Sequence, residues 1–490
     1  MMKKGNLNST SVQIIGFIAL LLVFALSLVV PSTIISLVLY AGLLVYTFLF
    51  PTKGLAFLLI YFPARSFFIE MNGDLKAVGE IIIFGGLLHI LVASRKQLTS
   101  LFRFHWFEIA FLAFCAIGAV SAFLNDVSIS AIITQLRAFL LAYLVFYIMK
   151  RLVFKKEDFQ WYLWTTFIVA IVLSVFGIIE KISDKTMLFP SAWEGFAISP
   201  TNGGRVYGLA KNPNVLASFL VIALFLSFYL KSQLTGWKNK LVWVGIILMG
   251  VTSVLTYSRG TALALGVSLL VYVVWKRSWK NVFQIAGVFV LSAILALYVV
   301  EPVTKALDFH STATEVPEEP GVDSGEDEGN SQTDRLKETF EKDTLSKSAT
   351  GGRLWIVKKG FEVFKDYPII GSGFATFGDS ASLGYGSPIY EKYEMREGIY
   401  TDNQYIQVIA QTGVLGVLAF AVFLISIFVF LVKYRKQSET MFTLLLFLAV
   451  VASCIVYNVW EDKTVTVYMF GLLGIVFAKN RELKEGPINN

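Results

Sequence analysis

Apolar residues fill long unbroken runs along this chain, and polar residues gather in the short breaks between them. The runs are about 18–20 residues long, the length of helix that crosses ~30 Å of hydrocarbon. Backbone groups in lipid must be satisfied within the protein, so repeated runs of this length predict a helical bundle. The pattern predicts about fourteen spans. They fall near residues 12–30, 33–50, 54–69, 78–94, 106–124, 131–149, 161–182, 214–230, 241–257, 260–275, 281–300, 406–432, 440–458 and 464–479. The segment 54–69 is the most irregular, because Pro63 and Arg65 interrupt it. The first run follows Lys3 and Lys4, is longer than the core of a signal peptide and has no small-x-small site after it. It reads as a retained span.

Polar positions then assign sides. With the N-terminus inside, the inner loops hold Lys53, then Arg95, Lys96 and Arg103, then Lys150, Arg151, Lys155 and Lys156. Further along they hold Lys231, Lys238 and Lys240, then Lys276, Arg277 and Lys280, then Lys433, Arg435 and Lys436, with Lys479, Arg481 and Lys484 in the tail. The outer turns Pro31–Ser32, Asn125–Asp126 and Trp460–Lys463 carry little positive charge. Positive loops stay in the cytoplasm, so the alternation predicts both termini inside and a multi-pass protein of the cell membrane.

The expected fold class is therefore an all-α polytopic membrane protein of about 14 transmembrane helices (12–14) with one large extracytoplasmic loop. A 56% hydrophobic and 16% charged composition exceeds what a soluble core needs. The net charge of +7 sums the inner loops and is no nucleic-acid footprint. Cys115 and Cys454 sit inside apolar runs, so no disulfide is expected. His89, His105 and His310 are scattered without ligand spacing, so neither a metal site nor a cofactor is expected.

Residues 1–300 form an N-terminal bundle of 11 predicted spans, residues 301–405 the outer loop, and residues 406–490 the C-terminal spans and tail. Within the loop, 311–334 is acidic and nearly free of apolar residues, so disorder is expected. Its run Glu326–Glu328 reads as a solvated linker rather than a cation site. An amphipathic helix is expected at 353–367, with Leu354, Val357, Phe361 and Phe364 on its apolar face. Such a helix suits the outer membrane surface. Pro368 ends it, and Ile369–Phe377 supplies a glycine-rich turn.

No P-loop, no G-x-S-x-G elbow and no early outer D-x-D is present. The charge alternation instead puts Arg205, Arg259, Arg353 and Asp402 on one outer face. A guanidinium forks onto phosphate oxygens and is always charged. Several at the lipid boundary suit the diphosphate of a membrane lipid. An ionised Asp402 accepts a proton, and so suits a general base. Each has an ordinary alternative. Arg259 is placed to snorkel from a hairpin, Arg205 and Arg353 stand in loops where solvation is the default, and Asp402 beside Asn403 suits a helix N-cap. Arg137 lies about two turns inside a span, a depth at which a charge is a functional candidate. A structural partner such as Glu80 or Glu180 explains it equally well.

At these residues the chain resembles the O-antigen ligase and polysaccharide polymerase superfamily of bacterial membrane proteins, over roughly residues 200–430. The carriers are Arg205 and Gly208 before Asn212-Pro213-Asn214, the turn Ser258-Arg259-Gly260, Arg353 with Pro368–Gly373, and Asp402-Asn403 before Gly413–Gly416. The resemblance implies a metal-independent glycosyltransferase with a GT-C-like fold. It implies a donor of undecaprenyl-diphosphate-linked oligosaccharide, an acceptor hydroxyl outside the membrane, and membrane lipid and polysaccharide-export proteins as neighbours. By carry-over, Asp402 and Arg259 are catalytic, and Arg205, Arg353, Asn403 and Arg137 bind substrate. Family ligases usually have histidine where this chain has Asp402, which points toward a polymerase. The length and outer loop look similar to polymerases of Gram-positive capsules, exopolysaccharides and teichuronic acid. A ligase, a transporter or flippase of lipid-linked sugars, and a non-catalytic scaffold remain open. A transporter favours repeats and polar residues at mid-membrane, whereas here the polar features crowd to one surface.

The sidedness is directly testable. Single cysteines near Gly203, Asp323 and Asn403 should react with an impermeant thiol reagent in intact cells, and ones near Ser232, Arg277 and Gln437 should not. Labelling at Gln437 with protection at Asp323 inverts the topology.

Overall fold

A computed structural model describes residues 10–183, 193, 204–277, 279–307 and 352–485. The acidic segment 311–334 lies outside the described residues. The described residues are helical, without strands. The helices are α1 (Thr10–Val29), α2 (Thr33–Leu49), the broken α3 (Pro51–Met71), α4 (Val78–Ala93), α5 (Trp106–Leu124), α6 (Ile129–Met149) and α7 (Lys156–Ile182). They continue with α8 (Pro213–Ser232), α9 (Gly236–Leu255), α10 (Arg259–Lys276), α11 (Trp279–Leu307), α12 (Arg353–Asp366), α13 (Gln404–Lys433), α14 (Ser438–Ser453) and α15 (Lys463–Glu485). Among the described residues, 10 helical segments are long and apolar enough to cross a membrane, and Thr33–Leu49, Arg259–Trp275 and Ser438–Ser453 are shorter apolar helices beside them. The segment that Pro63 interrupts breaks into short helical pieces, with a tight turn at Phe62–Ala64.

Helices from both ends of the sequence interleave. α13 packs along α5, α15 along α6, and α14 along α10. α15 is buried on all sides from Thr464 to Ala478, as expected of a helix apolar all round. Trp460, just before it, is fully buried and meets Phe423 of α13 edge-on at 5.0 Å between ring centroids. Two residues counted as inner-loop charge are buried ion-pair partners. Lys150 pairs with Glu108, and Lys53 with Asp158 at 3.0 Å. Their charges are neutralised locally, so the positive alternation rests on the remaining lysines and arginines.

α13 is broken at Gly413, whose backbone (φ 57°, ψ −161°) is not helical. A break inside an apolar helix frees backbone groups that lipid cannot satisfy. The segment after α12 lies in the break and satisfies them. The amides of Ser372 and Gly373 donate to the carbonyls of Ala410 and Gln411, each at 2.9 Å. The amides of Val414 and Leu415 donate to the carbonyls of Pro368 and Ile369 at 2.9 and 3.1 Å. Phe374 then donates to Gly118 of α5 at 3.0 Å, and the Ser121 hydroxyl donates to Gly371.

α12 lies against the start of α13 through Ile356, Gly360 and Val363. The apolar face expected for the membrane surface is the other one. Leu354 and Phe361 stand 51% and 48% exposed, on the side away from the protein. The helix carries two apolar stripes, and protein takes the one with the glycine because Gly360 lets α13 come close. A Cβ there would sit 2.4 Å from Ile406.

Gly373 combines φ +99° with a Cβ position 2.2 Å from Ala122 backbone, whereas a Cβ on Gly384 meets nothing within 4 Å. Gly373→Ala should destabilise by about 3 kcal/mol or more, and Gly384→Ala should be neutral. Thermal melting of the two variants in detergent checks this, and equal melting points contradict the docking.

Candidate functional site

Four loops meet at the end of the bundle where α8, α10, α12 and α13 begin. The first is built by a buried acid. Glu180, near the end of α7, accepts the amides of Tyr207 and Gly208 at 3.0 and 2.7 Å. Asn212 caps α8, accepting the amides of Asn214 and Val215 at 2.8 and 3.3 Å. Pro213 fills the first helical position, where its missing N–H is not needed. Asn214 is thereby turned toward Arg205. Arg205 Nη2 donates to Asn214 Oδ1 at 2.8 Å, and its Nε donates to the Thr256 carbonyl at 2.8 Å.

The same Asn214 oxygen accepts the Ser258 hydroxyl at 3.1 Å, and Ser258 meets Thr261 at 2.9 Å. The N-P-N and S-R-G motifs are thus one hydrogen-bonded unit. It holds Arg205 half-buried and carries Arg259, exposed, as the first residue of α10. Gly260 packs on Val456, where a Cβ would approach to 2.5 Å. Arg353, exposed at the start of α12, donates to the Val456 carbonyl at 3.4 Å. Val456 therefore lies between the turns that bear Arg259 and Arg353.

Asp402 stands half-buried in left-handed backbone, φ 48°. The next residue, Asn403, is the N-cap of α13 and accepts the Ile406 amide at 3.1 Å. Asn403 therefore does the capping, and Asp402 is not needed for it. Burial raises the Asp402 carboxyl above the ordinary carboxylate range, and the charges of Arg353 and Arg205 pull it back down. Burial favours its protonated form and the two guanidiniums its ionised form, an opposition that suits a carboxyl to exchanging a proton.

Arg137 falls elsewhere. Its guanidinium pairs with Glu80, the Nε donating at 2.7 Å. An apolar cavity of about 30 Å³, lined among others by Leu59, Val145, Thr166 and Tyr468, lies within the helices and contains none of the arginines.

Sequence reading missed a buried acid pair. Asp379 is fully buried and accepts the amides of Ala375 and Ser382 at 2.6 and 2.7 Å and the Gln411 side chain at 2.6 Å. Glu461 accepts the Ser380 amide at 2.8 Å and the Gln407 side chain. The pair ties the loop to α13 and to the turn before α15. The one available signal was Glu461 and Asp462 side by side in a tight turn between two apolar runs.

An all-helical membrane protein with arginines gathered around one carboxyl at a bundle end defines the class. Residues 244–421 match the family model described as O-Antigen ligase, so this stretch carries the domain of the O-antigen ligase and polymerase superfamily. The match takes in Arg259, Arg353 and Asp402, and begins after Arg205. The family implies glycosyl transfer of ligase or polymerase type on a lipid-linked oligosaccharide. No curated relative matches the chain.

Burial beside Asp379 pushes the Glu461 carboxyl up to about 7. An acid raised in the folded state contributes stability that is full below its unfolded value and lost as pH rises through about 7. Melting of the wild type should therefore fall as pH rises from about 4.5 to about 7 and level off above that. Glu461→Gln should flatten the profile. An unchanged slope in the variant removes Glu461 as its cause.

Proposed function

We propose that this chain polymerises a cell-surface polysaccharide on the extracytoplasmic face, without a metal, using an undecaprenyl-diphosphate-linked donor. The observation that carries the reading is the placement of Asp402 within the field of Arg353 and Arg205, with Arg205 joined through Asn214 and Ser258 to the turn of Arg259. The Asp402 carboxylate takes the proton from an acceptor sugar hydroxyl as its oxygen bonds to the anomeric carbon of the donor. The bond from that carbon to the diphosphate breaks, and the diphosphate leaves with the electron pair. Arg205, Arg259 and Arg353 hold the charge that develops on it. Products of this kind include capsule, exopolysaccharide and teichuronic acid chains. Aspartate in place of the ligases' histidine favours polymer formation over transfer of a finished glycan.

Arg259→Lys keeps the charge and loses the fork. It should reduce turnover by a factor on the order of hundreds, equivalent to ~3–4 kcal/mol of lost leaving-group stabilisation. Asp402→Asn should abolish polymer while donor binding persists. The base works only when ionised, so wild-type activity should fall with falling pH along a limb displaced above the ordinary carboxylate range. Cells carrying either variant should accumulate single repeat units on the lipid. Long lipid-linked chains would indicate a ligase, units facing the cytoplasm would indicate a flippase, and normal polymer from both variants would end the catalytic reading.

A further inference from the structure

A second group of cations lies at the same end of the bundle, around the Phe62 turn of α3. Thr464 of α15 donates its hydroxyl to the Phe62 carbonyl at 3.1 Å. From α4, Gly79 packs on the Phe62 ring, where a Cβ would sit 2.7 Å from the ring. This turn therefore gathers Lys463, Glu80 and Arg65 from three helices. Arg137 reaches in from α6 to Glu80. The charge of Arg65 acts on the Tyr61 hydroxyl, and the charges of Arg65, Glu80 and Arg137 all bear on Lys463.

Three cations share one carboxylate, and Arg137 takes that carboxylate as its ion-pair partner. Among the described residues, neither Lys463 nor Arg65 has an ion pair with a carboxylate. A half-buried surplus of positive charge is costly at a membrane boundary unless an anion completes it. The group also adjoins the donor site. Asp462, next to Lys463, accepts the Tyr457 hydroxyl at 3.2 Å, and Tyr457 lies in the field of Asp402. The end of α3 is joined to the Arg205 loop by Glu70 and Lys211, 3.6 Å apart.

We propose that Arg65, Arg137 and Lys463 form a second anion site, beside the donor site, that takes the phosphate group of a second lipid. Under the polymerase reading, on which that lipid's identity rests, it carries the acceptor glycan on a diphosphate. A bulk anionic phospholipid offers the same phosphate chemistry. An acceptor held there by its lipid phosphate would present its sugar from the same membrane boundary as the donor.

The test uses the full chain in phosphatidylcholine nanodiscs with geranylgeranyl diphosphate as the probe, and native mass spectrometry counts the molecules bound. The wild type should bind two. Lys463→Met should bind one, with affinity at the lost site down at least about tenfold, and Lys463→Arg should restore the second. Arg259→Lys should weaken the other site alone. If Lys463→Met lowers the melting temperature, Arg65→Gln takes its place. Phosphatidylglycerol added to the discs separates the sources. If it is retained by the wild type, lost in Lys463→Met and not displaced by the diphosphate, the occupant is bulk lipid. If the diphosphate displaces it, the occupant is a second lipid-linked substrate. Equal diphosphate binding and equal phosphatidylglycerol retention in wild type, Lys463→Met and Arg65→Gln overturn the second site and leave the donor reading untouched. Loss of binding at Lys463 with none at Arg259 does the reverse.

Discussion

The break in α13 at Gly413 is the constraint on which the rest of the site depends. A helix among apolar neighbours cannot leave carbonyls and amides without partners. The segment 368–373 supplies those partners from outside the helix, pairing backbone with backbone on both sides of the break. Gly371 and Gly373 make this possible. Both have positive φ, and at both a Cβ would fall on neighbouring backbone, of Gln411 and Thr412 at one and Ala122 at the other, at 2.2 Å. The docked segment fixes the end of α12, whose first residue is Arg353. The upper part of α13 fixes its own first turn, before which stands Asp402. Two of the four proposed catalytic groups thus owe their positions to one backbone junction.

The other two are positioned by a different device. Asn214 serves two partners with one oxygen, accepting from Arg205 and from Ser258. An asparagine side chain is a compact two-sided connector, and here it joins the start of α8 to the start of α10. Arg205 is anchored at Nε and at Nη2. Arg259 and Arg353 are exposed on the turns either side of Val456. The arrangement combines one guanidinium held by the protein with two at the surface. This suits an anion that arrives from the lipid boundary and leaves by the same route.

The helices were legible because a span is set by length and apolarity, both visible in one sequence. The irregular segment was legible too, since Pro63 and Arg65 stand where α3 breaks. The charge alternation put Arg205, Arg353 and Asp402 on one face, and the fold brings both guanidiniums into the field of the carboxyl. Other features depend on tertiary packing and could not be read. Lys53 and Lys150 look like loop charge until Asp158 and Glu108 arrive from distant helices. The buried stripe of α12 was hidden because Ile356 and Val363 share their period with Leu354 and Phe361, and only the neighbour decides between them. Glu461 reads as a turn acid, yet it is buried against Ser380 and Gln407, residues 81 and 54 positions away.

The family match begins at residue 244, after Arg205, yet the site does not divide there. Asn214 carries the connection across, from Arg205 to the Ser258 that precedes Arg259. Glu180 holds the Arg205 loop against α7, and the Val206 amide donates to the Leu255 carbonyl at 3.1 Å, at the end of α9. Helices before the matched region therefore set the position of a guanidinium that acts on a carboxyl within it. The chemistry proposed for Asp402 needs both. A carboxyl raised by burial alone would stay protonated too readily to serve as a base, and the positive charges of Arg353 and Arg205 counter that tendency. The N-terminal helices are thus part of the tuning of the proposed base as well as its scaffold.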